Sequence, residues 1–401
     1  MRFPAKGHPF NLLQPLYTTG PLSRAELVEI SNLAPSQVTV VIRRAFKAGL
    51  IVEAGVAPSN GGRPRSLLQP NPDFAQLIGI DLGRTRIRFM VTDFAGNRLA
   101  FKAYPIEAPN HKDDLFGLIN QEVRTFRTQY PKVAAIGLSV SGVIDPKAGT
   151  MLFWPMIEGW SGTPLRQILE KEHGLPAYVE DSVRAMAIAE HRFGQGRGVR
   201  NFVFVCVGMG IGSAIFFDNH LLVGRDGLAG ELGHTTVDEN GPACGCGNQG
   251  CLELYSSATA ILNRVRSDIE RGVASSLATG FTENEPPLTI EGIVRAAELH
   301  DRLAERVLSE AGTHLGTALA SVVNLLNPEK VILAGSVPRA AGQLLLGPLL
   351  YSLRQRALPP AVKSLPLVVS DLGEESAPLG MILRAREGVL AARCEEIAGR
   401  G

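Results

Sequence analysis

The chain has 401 residues, of which 45% are hydrophobic and 20% are charged, and its formal net charge at pH 7 is +1. This length is enough for two or three domains with full cores. No run of about 18 apolar residues occurs, which excludes a membrane-spanning helix, and the N-terminus lacks the apolar segment of a secretory signal, so we expect a cytoplasmic protein.

The near-neutral total hides a basic N-terminal head. Residues 1–70 contain eight Lys and Arg against three acidic residues, a net charge of +5, and the remaining residues carry −4. A basic head on a slightly acidic body favours a polyanionic partner for the head alone. A solvated basic surface without a partner would have the same charge.

Helical patterns follow one another in the head. FNLLQPLYTTG is a short apolar segment, and in SRAELVEISN the residues Ser23 and Glu26 have the spacing of a capping box. After the link SNLAP, the stretch SQVTVVIRRAFKAGLI has the periodicity of a second amphipathic helix. Two short helices joined by a tight turn are typical of a helix-turn-helix, whose second helix enters the major groove of DNA.

The second helix carries side chains suited to DNA. Ser36, Gln37 and Thr39 lie near its N-terminus, where residues of this motif meet base edges, and a glutamine can pair with adenine through both side-chain atoms. Arg43 and Arg44 lie farther along and suit phosphate contacts, which position the protein without reading sequence.

The stretch IVEAGVAPSNGGRPRSLLQPN predicts two strands around a glycine-rich turn, a β-wing. Arg63 and Arg65 flank Pro64 at its tip and suit a narrow A·T minor groove. Helix-turn-helix, wing and local basic charge together predict binding to double-stranded DNA. The alternatives are a charged hairpin that contacts nothing and a winged helix that binds protein.

The body contains two similar glycine-rich hairpins. We place the head at 1–70, a linker at 71–73, a first lobe at 74–180 to which a C-terminal helix of about 380–401 returns, and a second lobe at 181–379. A strand, a glycine turn and a strand occur in each lobe, and such turns can place backbone N–H groups around phosphate. The candidate phosphate-loop residues are Asp81, Gly83, Thr85, Gly208, Gly210 and Gly212. The duplication predicts an α/β fold with a cleft between two lobes, and a long helix over about 291–326 precedes the strand KVILAGSV.

One short stretch gathers a histidine and three cysteines. His234, Cys244, Cys246 and Cys251 form the pattern H-x9-C-x-C-x4-C, and disulfides are uncommon in cytoplasmic proteins. Thiolates with imidazole suit tetrahedral Zn²⁺, and four protein ligands give a closed, structural site. The alternatives are a buried cysteine cluster and a thiol pair that oxidises.

The motifs DLGRT, GMGIGS, AGELGH and CGCGNQGCLE together resemble the ROK family, which comprises repressors, open reading frames and sugar kinases. The resemblance covers nearly the whole chain. It implies an actin-like, hexokinase-like (RNase H-like) two-lobed ATPase-type fold, with zinc at the four residues above. The added winged helix-turn-helix resembles the repressor branch of this family, which includes the xylose and N-acetylglucosamine repressors.

The resemblance also implies a sugar site. The sugar contacts of the family fall at Glu231, His234 and Glu253, and its catalytic aspartate at Asp181. Glu180 stands where the family has Asn, and it is the remaining candidate effector contact. For the glutamates the alternative is a surface acid or a support for zinc, and for Asp181 it is capping of the following helix.

Three further positions depart from the kinase pattern. Arg84 replaces the second glycine of the first loop, Ala334 replaces one glycine of the pair before the adenine site, and Met156 stands where a sugar-contacting Asn is usual. The resemblance therefore implies a transcriptional regulator, a homodimer or tetramer, with a carbohydrate-like effector between its lobes, and we expect it not to use ATP as a cofactor.

Two alternatives stay open. The first is an ATP-dependent sugar kinase, with Asp181 as the base, that carries a DNA-binding extension. The second is a regulator controlled by a protein partner instead of a metabolite.

Overall fold

The computed structural model describes residues 8–56, 65–106, 112–154, 159–281 and 288–399. The chain divides into two compact units, the first formed by Met1–Met186 with Glu375–Gly401 and the second by Ala187–Glu374. None of the helices in the described ranges has both the length and the apolar composition needed to cross a lipid bilayer.

The first unit begins with the head. Its elements are α1 (Pro9–Thr18), β1 (Leu22–Ser23), α2 (Arg24–Ser31), α3 (Pro35–Lys47), β2 (Ile51–Val56) and β3 (Ser66–Pro70). The capping box is present, because the Ser23 hydroxyl accepts from the Glu26 N–H while the Glu26 carboxylate accepts from the Ser23 N–H. The strands pair antiparallel in the order β1-β3-β2. The predicted helix-turn-helix and both strands of the wing are confirmed.

The rest of the first unit is built on a five-stranded sheet. Its elements are β4 (Gln76–Leu82), β5 (Arg86–Asp93), β6 (Arg98–Pro105), α4 (Lys112–Gln129), β7 (Val133–Val140), β8 (Val143–Asp145), β9 (Thr150–Phe153), α5 (Leu165–His173), β10 (Ala177–Asp181) and the start of α6 (Ser182–Phe193), a helix that continues into the second unit. The strand order is β10-β7-β4-β5-β6. β4, β5 and β6 form an antiparallel meander, and β7 and β10 add in parallel beside β4.

The second unit repeats this arrangement. Its elements are β11 (Phe202–Val207), β12 (Ile211–Phe217), β13 (His220–Leu221), α7 (Glu253–Ser256), α8 (Ala258–Glu270), α9 (Ile290–Glu298), α10 (Arg302–Leu326), β14 (Lys330–Ala334), α11 (Ser336–Ala341), α12 (Gln343–Arg356), α13 (Pro359–Val362) and β15 (Leu367–Val369). The order β13-β12-β11-β14-β15 again places a meander on one side and two parallel strands on the other. The predicted duplication is confirmed.

The single helix predicted over 291–326 is wrong. The segment forms two helices, α9 and α10, separated by Leu299, His300 and Asp301. His300 has a φ of 65°, in the left-handed region that ends a helix, and the Asp301 carboxylate accepts from the Ala304 N–H and starts the next one. The buried face of α10 belongs to the apolar core of the second unit.

The last helix, α14 (Ser376–Ala398), belongs to the first unit. It approaches the sheet closely, because a Cβ at Gly79 would lie 2.1 Å from the Pro378 carbonyl oxygen and one at Gly137 would lie 2.4 Å from that of Met381. Only glycine allows this distance. On its other side, α14 shares one apolar core with the head.

Candidate functional site

The exposed face of α3 carries the residues predicted to meet DNA. Ser36, Gln37, Thr39 and Arg43 are all exposed. Ser36, Thr39 and Arg43 lie on one side of the helix, Gln37 lies about 100° around it, and the exposed Val40 lies between Gln37 and the others. We call this exposed face the polar strip of α3. The structure thus leaves this strip accessible to a groove of DNA.

Two residues of this strip make local hydrogen bonds. The Gln37 side-chain oxygen accepts from the Ala34 N–H at 3.2 Å, and the Thr39 hydroxyl donates to the Pro35 carbonyl at 2.8 Å. Pairing with adenine through both side-chain atoms would use the second lone pair of this oxygen or replace its bond to Ala34. Base recognition by these residues stays a prediction.

The other predicted DNA contacts differ in their surroundings. Arg65 is exposed just before β3, whereas Arg63 lies outside the described residues. Arg44 is half-buried, and its Nη1 donates to the Ile397 carbonyl of α14 at 2.9 Å. The Arg44 guanidinium is therefore engaged inside the protein, and its predicted phosphate contact remains untested.

In the second unit, the four predicted metal ligands come together. One ligand atom from each of His234, Cys244, Cys246 and Cys251 lies within 4.8 Å of the other three. The Cys246 and Cys251 sulfurs are 3.7 Å apart, as are the Cys244 sulfur and His234 Nδ1. All five cysteines are described and none forms a disulfide. The cluster could hold a metal ion.

The thiols of this cluster have unequal surroundings. Burial raises the pKa of the Cys251 thiol to about 12, and the neighbouring thiols add to the shift. The Asn248 backbone N–H donates to Cys246 and lowers the pKa of that thiol. A cation among the sulfurs would stabilise the thiolate form of all three, since metal ligands must be deprotonated.

Tight turns hold the loop that carries the candidate metal ligands. The Cys244 N–H donates to the Asn248 carbonyl and the Gly247 N–H donates back to Cys244. Gly250 has a φ of 64°, and a Cβ there would lie 1.7 Å from the Asp238 carbonyl oxygen. Of the three glycines in CGCGNQGC, Gly250 is therefore the one at which the loop leaves no room for a side chain.

We expect Gly250→Ala to reduce both metal content and stability, by about 2 kcal/mol or more, because the methyl group forces the Asp238 backbone to move. Gly245→Ala is the matched control, since a Cβ at Gly245 meets nothing within 4 Å. Elemental analysis and thermal unfolding of both variants measure the effect. Equal behaviour of the two variants would contradict this account of the loop.

Residues that the sequence analysis missed anchor the loop. The Tyr255 hydroxyl donates to the Asp238 carboxylate at 3.0 Å, and the Tyr255 ring lies 4.4 Å from the His314 ring of α10. Burial raises the pKa of Tyr255 to about 12, assisted by Asp238. These residues connect the loop to α10. Because they are far apart in the sequence, no local pattern predicts this connection.

The predicted effector residues Glu231 and Glu253 of the second unit are close in sequence to the candidate metal ligands His234 and Cys251. Glu231 is exposed and precedes the short 3-10 helix Leu232–His234. Glu253 begins α7, and its Oε2 accepts from the Ile211 N–H at 2.8 Å. That bond fixes the Glu253 carboxylate against the start of β12.

The second glycine hairpin joins β11 to β12. Gly208 and Gly210 close its turn through an N–H to carbonyl bond of 2.9 Å, and Gly212 lies in β12. The Gly208 carbonyl accepts from the Ala258 N–H at the start of α8. A side chain at Gly208 would meet nothing within 4 Å, so the turn is open on that side.

The first glycine hairpin surrounds a buried carboxylate. Asp81 is 1% exposed, and it accepts hydrogen bonds from the Ser139 and Ser182 hydroxyls at 2.8 Å and from Arg88 Nη1 at 3.1 Å. Burial raises the pKa of Asp81, and Arg88 opposes that shift. Gly83 lies beside this arginine, and Thr85 is exposed in the turn. Asp81 is thus held by internal donors.

The candidate catalytic carboxylate also has structural partners. Asp181 Oδ1 accepts from the backbone N–H groups of Val183 and Arg184, which caps the start of α6. Glu180 is 1% exposed and forms an ion pair with Arg184 at 2.8 Å. Both carboxylates stabilise this corner of the first unit, and their effector roles stay predictions. Met156 lies outside the described residues.

Known proteins match the chain over most of its length. The profile of the ROK family matches residues 77–387. The xylose repressor of Caldicellulosiruptor bescii is 33% identical over 366 residues, which are 90% of each chain. A solved ROK family transcriptional regulator, described as a homologue of the Escherichia coli MLC protein, has a TM-score of 0.84 at 32% identity and covers 98% of this chain and 99% of its own.

A kinase of the same family matches a smaller share of this chain. The ROK family glucokinase of Streptomyces griseus, solved with glucose and a nucleotide analogue, has a TM-score of 0.67 at 30% identity. It covers 78% of this chain and 100% of its own, and the family profile begins only after β3. The head thus lies before the part of the chain that the family profile matches.

Proposed function

The chain belongs to the ROK family, and from this premise we propose that it is a DNA-binding transcriptional repressor of sugar-metabolism genes whose body binds a carbohydrate-like effector. The observation that carries the proposal is the winged helix-turn-helix, with its exposed polar strip on α3, joined to a ROK body. The xylose repressor and the solved regulator, both alike over nearly the whole chain, support it.

The metal of the second unit is proposed to be structural Zn²⁺, held by His234, Cys244, Cys246 and Cys251. In a tetrahedron with Zn–S bonds of about 2.3 Å, two sulfurs are about 3.8 Å apart, close to the 3.7 Å between Cys246 and Cys251. Four protein ligands leave no open position. Zinc would therefore stabilise the loop, and His234 Nε2 would be left to donate a hydrogen bond.

The effector is proposed to bind through Glu231, His234 and Glu253. Carboxylates accept the protons of sugar hydroxyls, and a fixed imidazole N–H donates to a hydroxyl oxygen. Glu253 is oriented by the Ile211 N–H and His234 by the metal cluster, so two of the three groups are held in place before the effector arrives. Pre-organised groups of this kind favour one arrangement of hydroxyls over others.

A test of the effector uses DNA fragments that the protein selects from its own genome. Pentoses, hexoses, N-acetylhexosamines and their phosphates are added one at a time to the complex of the protein with a selected fragment. We expect sugars of one chemical class to release the DNA. Release only by a protein from a transport system, with no response to any sugar, would favour the alternative of a protein regulator.

The repressor is proposed to act as a homodimer or tetramer. The heads of two chains would meet half-sites about one helical turn of DNA, or a multiple, apart. An effector would weaken DNA binding by favouring the state in which this spacing is wrong, and it can do so only by binding that state more tightly.

Sugar phosphorylation is the second candidate function, supported by the likeness to the glucokinase and by the presence of Asp181. Three features oppose it: Asp81 is held by Arg88, Arg84 replaces a glycine of the first loop, and Ala334 replaces another. We expect no ADP release above background with any sugar of the panel in a coupled assay with ATP and Mg²⁺. Clear turnover with one sugar would defeat the non-catalytic proposal.

A further inference from the structure

Arg386 connects three parts of the first unit. It lies on α14, is 5% exposed, and donates through Nη2 to the Tyr17 carbonyl and through Nη1 to the Ala95 carbonyl, both at 3.1 Å. Tyr17 is in the last turn of α1 in the head, and Ala95 is in the turn between β5 and β6. One buried guanidinium therefore joins α14, the head and the first sheet.

The chemistry of these contacts suits arginine. The last carbonyls of a helix have no partner within the helix and carry partial negative charge, and α1 has no basic residue in its last turn. Arg386 supplies that charge from another element, with its guanidinium carbon 5.5 Å from the centre of the Tyr17 ring. The rigid fork of a guanidinium can donate in two fixed directions, which a lysine cannot.

Arg44 makes the reciprocal contact. It lies on α3, and its bond to the Ile397 carbonyl satisfies the C-terminal end of α14, which also has no basic residue in its last turn. Each helix end thus receives an arginine from the neighbouring element. The helix predicted to enter the major groove is bonded directly to α14.

Apolar packing supports these bonds. Leu390, Cys394 and Ile397 of α14 belong to the same buried core as Leu13 and Leu16 of α1. The Tyr17 hydroxyl donates to the Leu50 carbonyl at 2.8 Å, and its ring meets Phe94, next to Ala95, edge-on at 5.6 Å. Removing Arg386 would leave the Tyr17 carbonyl without this buried donor but would not remove this core.

We infer that Arg386 is a positioning residue that fixes the orientation of the DNA-binding head on the first sheet, and that Arg44 positions the recognition helix through α14. The head then does not swing on residues 71–73. A signal from an effector would have to reach DNA by moving the first unit as a whole. The consequence for DNA rests on the proposed function, whereas the fixed orientation does not.

The test compares Arg386→Met with Arg384→Met. Arg384 lies on the same helix and is bonded locally to Glu387, so it is the matched control. Lys47 on α3 and Gln121 on α4, both exposed, are each replaced by an amino acid with a keto side chain that carries a spin label. This chemistry does not modify the cysteines. The distribution of distances between the two labels is then measured in the full chain.

We expect a narrow distribution in the parent and in Arg384→Met, and a broad or shifted one in Arg386→Met. An unchanged distribution in Arg386→Met would overturn the inference. If the methionine variant does not fold, Arg386→Lys is measured in the same way, because it retains the charge but loses the two-direction fork. A broader distribution than in the parent supports the inference, and an identical one overturns it.

DNA affinity gives a second measurement. If one head orientation in ten remains competent in Arg386→Met, its affinity for a selected duplex falls about tenfold, while Arg384→Met binds like the parent. Equal affinity of both variants would count against the inference. If no duplex binds even the parent chain, the proposed function fails, and the label distances still decide whether Arg386 fixes the head.

Discussion

The Cys246→Ser variant is expected to lose its zinc and to be less stable by about 3 kcal/mol or more. The sulfur at position 246 lies 3.7 Å from that of Cys251, and a serine hydroxyl is a poor substitute for a thiolate ligand of zinc. Loss of a structural metal belongs to the few mechanisms that give large single-site effects. Metal analysis should fall from about one zinc per chain to near zero.

The control for this variant is Cys206→Ser. Cys206 lies in β11, outside the cluster, so this change removes a thiol without removing a ligand. The control should keep its zinc and most of its stability. Full zinc content in Cys246→Ser would contradict the assignment of the cluster.

The Arg43→Ala variant is expected to bind DNA about tenfold more weakly at 0.1 M salt, since each lost phosphate contact changes affinity by roughly that factor. Arg43 is exposed on α3 beside Thr39 and Ser36, in the polar strip. A phosphate contact does not read sequence, so affinity should fall equally for selected and random duplexes. The slope of log K against log salt should become shallower by about 1.

Lys171→Ala is the control, because it removes one positive charge from an exposed position on α5, outside the head. Fluorescence anisotropy with a labelled duplex over a range of salt concentrations measures both variants. If both variants lose affinity equally, total charge and not a contact at Arg43 explains binding.

The sequence predicted the parts of the fold that have local signals. A capping box at Ser23 and Glu26 marks the start of α2, and the periodicity of the next segment marks α3. The two glycine hairpins indicated the duplication of the sheet. The cluster of His234, Cys244, Cys246 and Cys251 was also predictable, because a histidine and three cysteines within a short stretch suit one ion wherever the chain folds back.

One error had a local signal that was overlooked. Asp301 is an N-cap residue, and aspartate before an apolar periodic stretch predicts the start of a helix. The break between α9 and α10 was therefore available from the sequence. The pairing of Asp81 with Arg88 was also available from the sequence. A two-residue loop in the first glycine hairpin places these two residues opposite each other on neighbouring strands.

Other contacts depend on packing between distant segments. Arg44 looked like a phosphate contact because it follows Arg43 on a basic helix, but its partner is the Ile397 carbonyl near the other end of the chain. Arg386 meets Tyr17 and Ala95 for the same reason. No periodicity or spacing predicts which carbonyl a buried guanidinium will meet.

Selection of bound fragments from the genome that encodes this chain tests the central claim most directly. The purified protein is mixed with sheared genomic DNA at moderate salt, and the bound fragments are sequenced. A regulator of this kind should recover a few sites, each with repeated half-sites about one helical turn or a multiple apart, and Arg43→Ala should recover fewer. Recovery of no enriched fragment by the zinc-loaded chain would contradict the account.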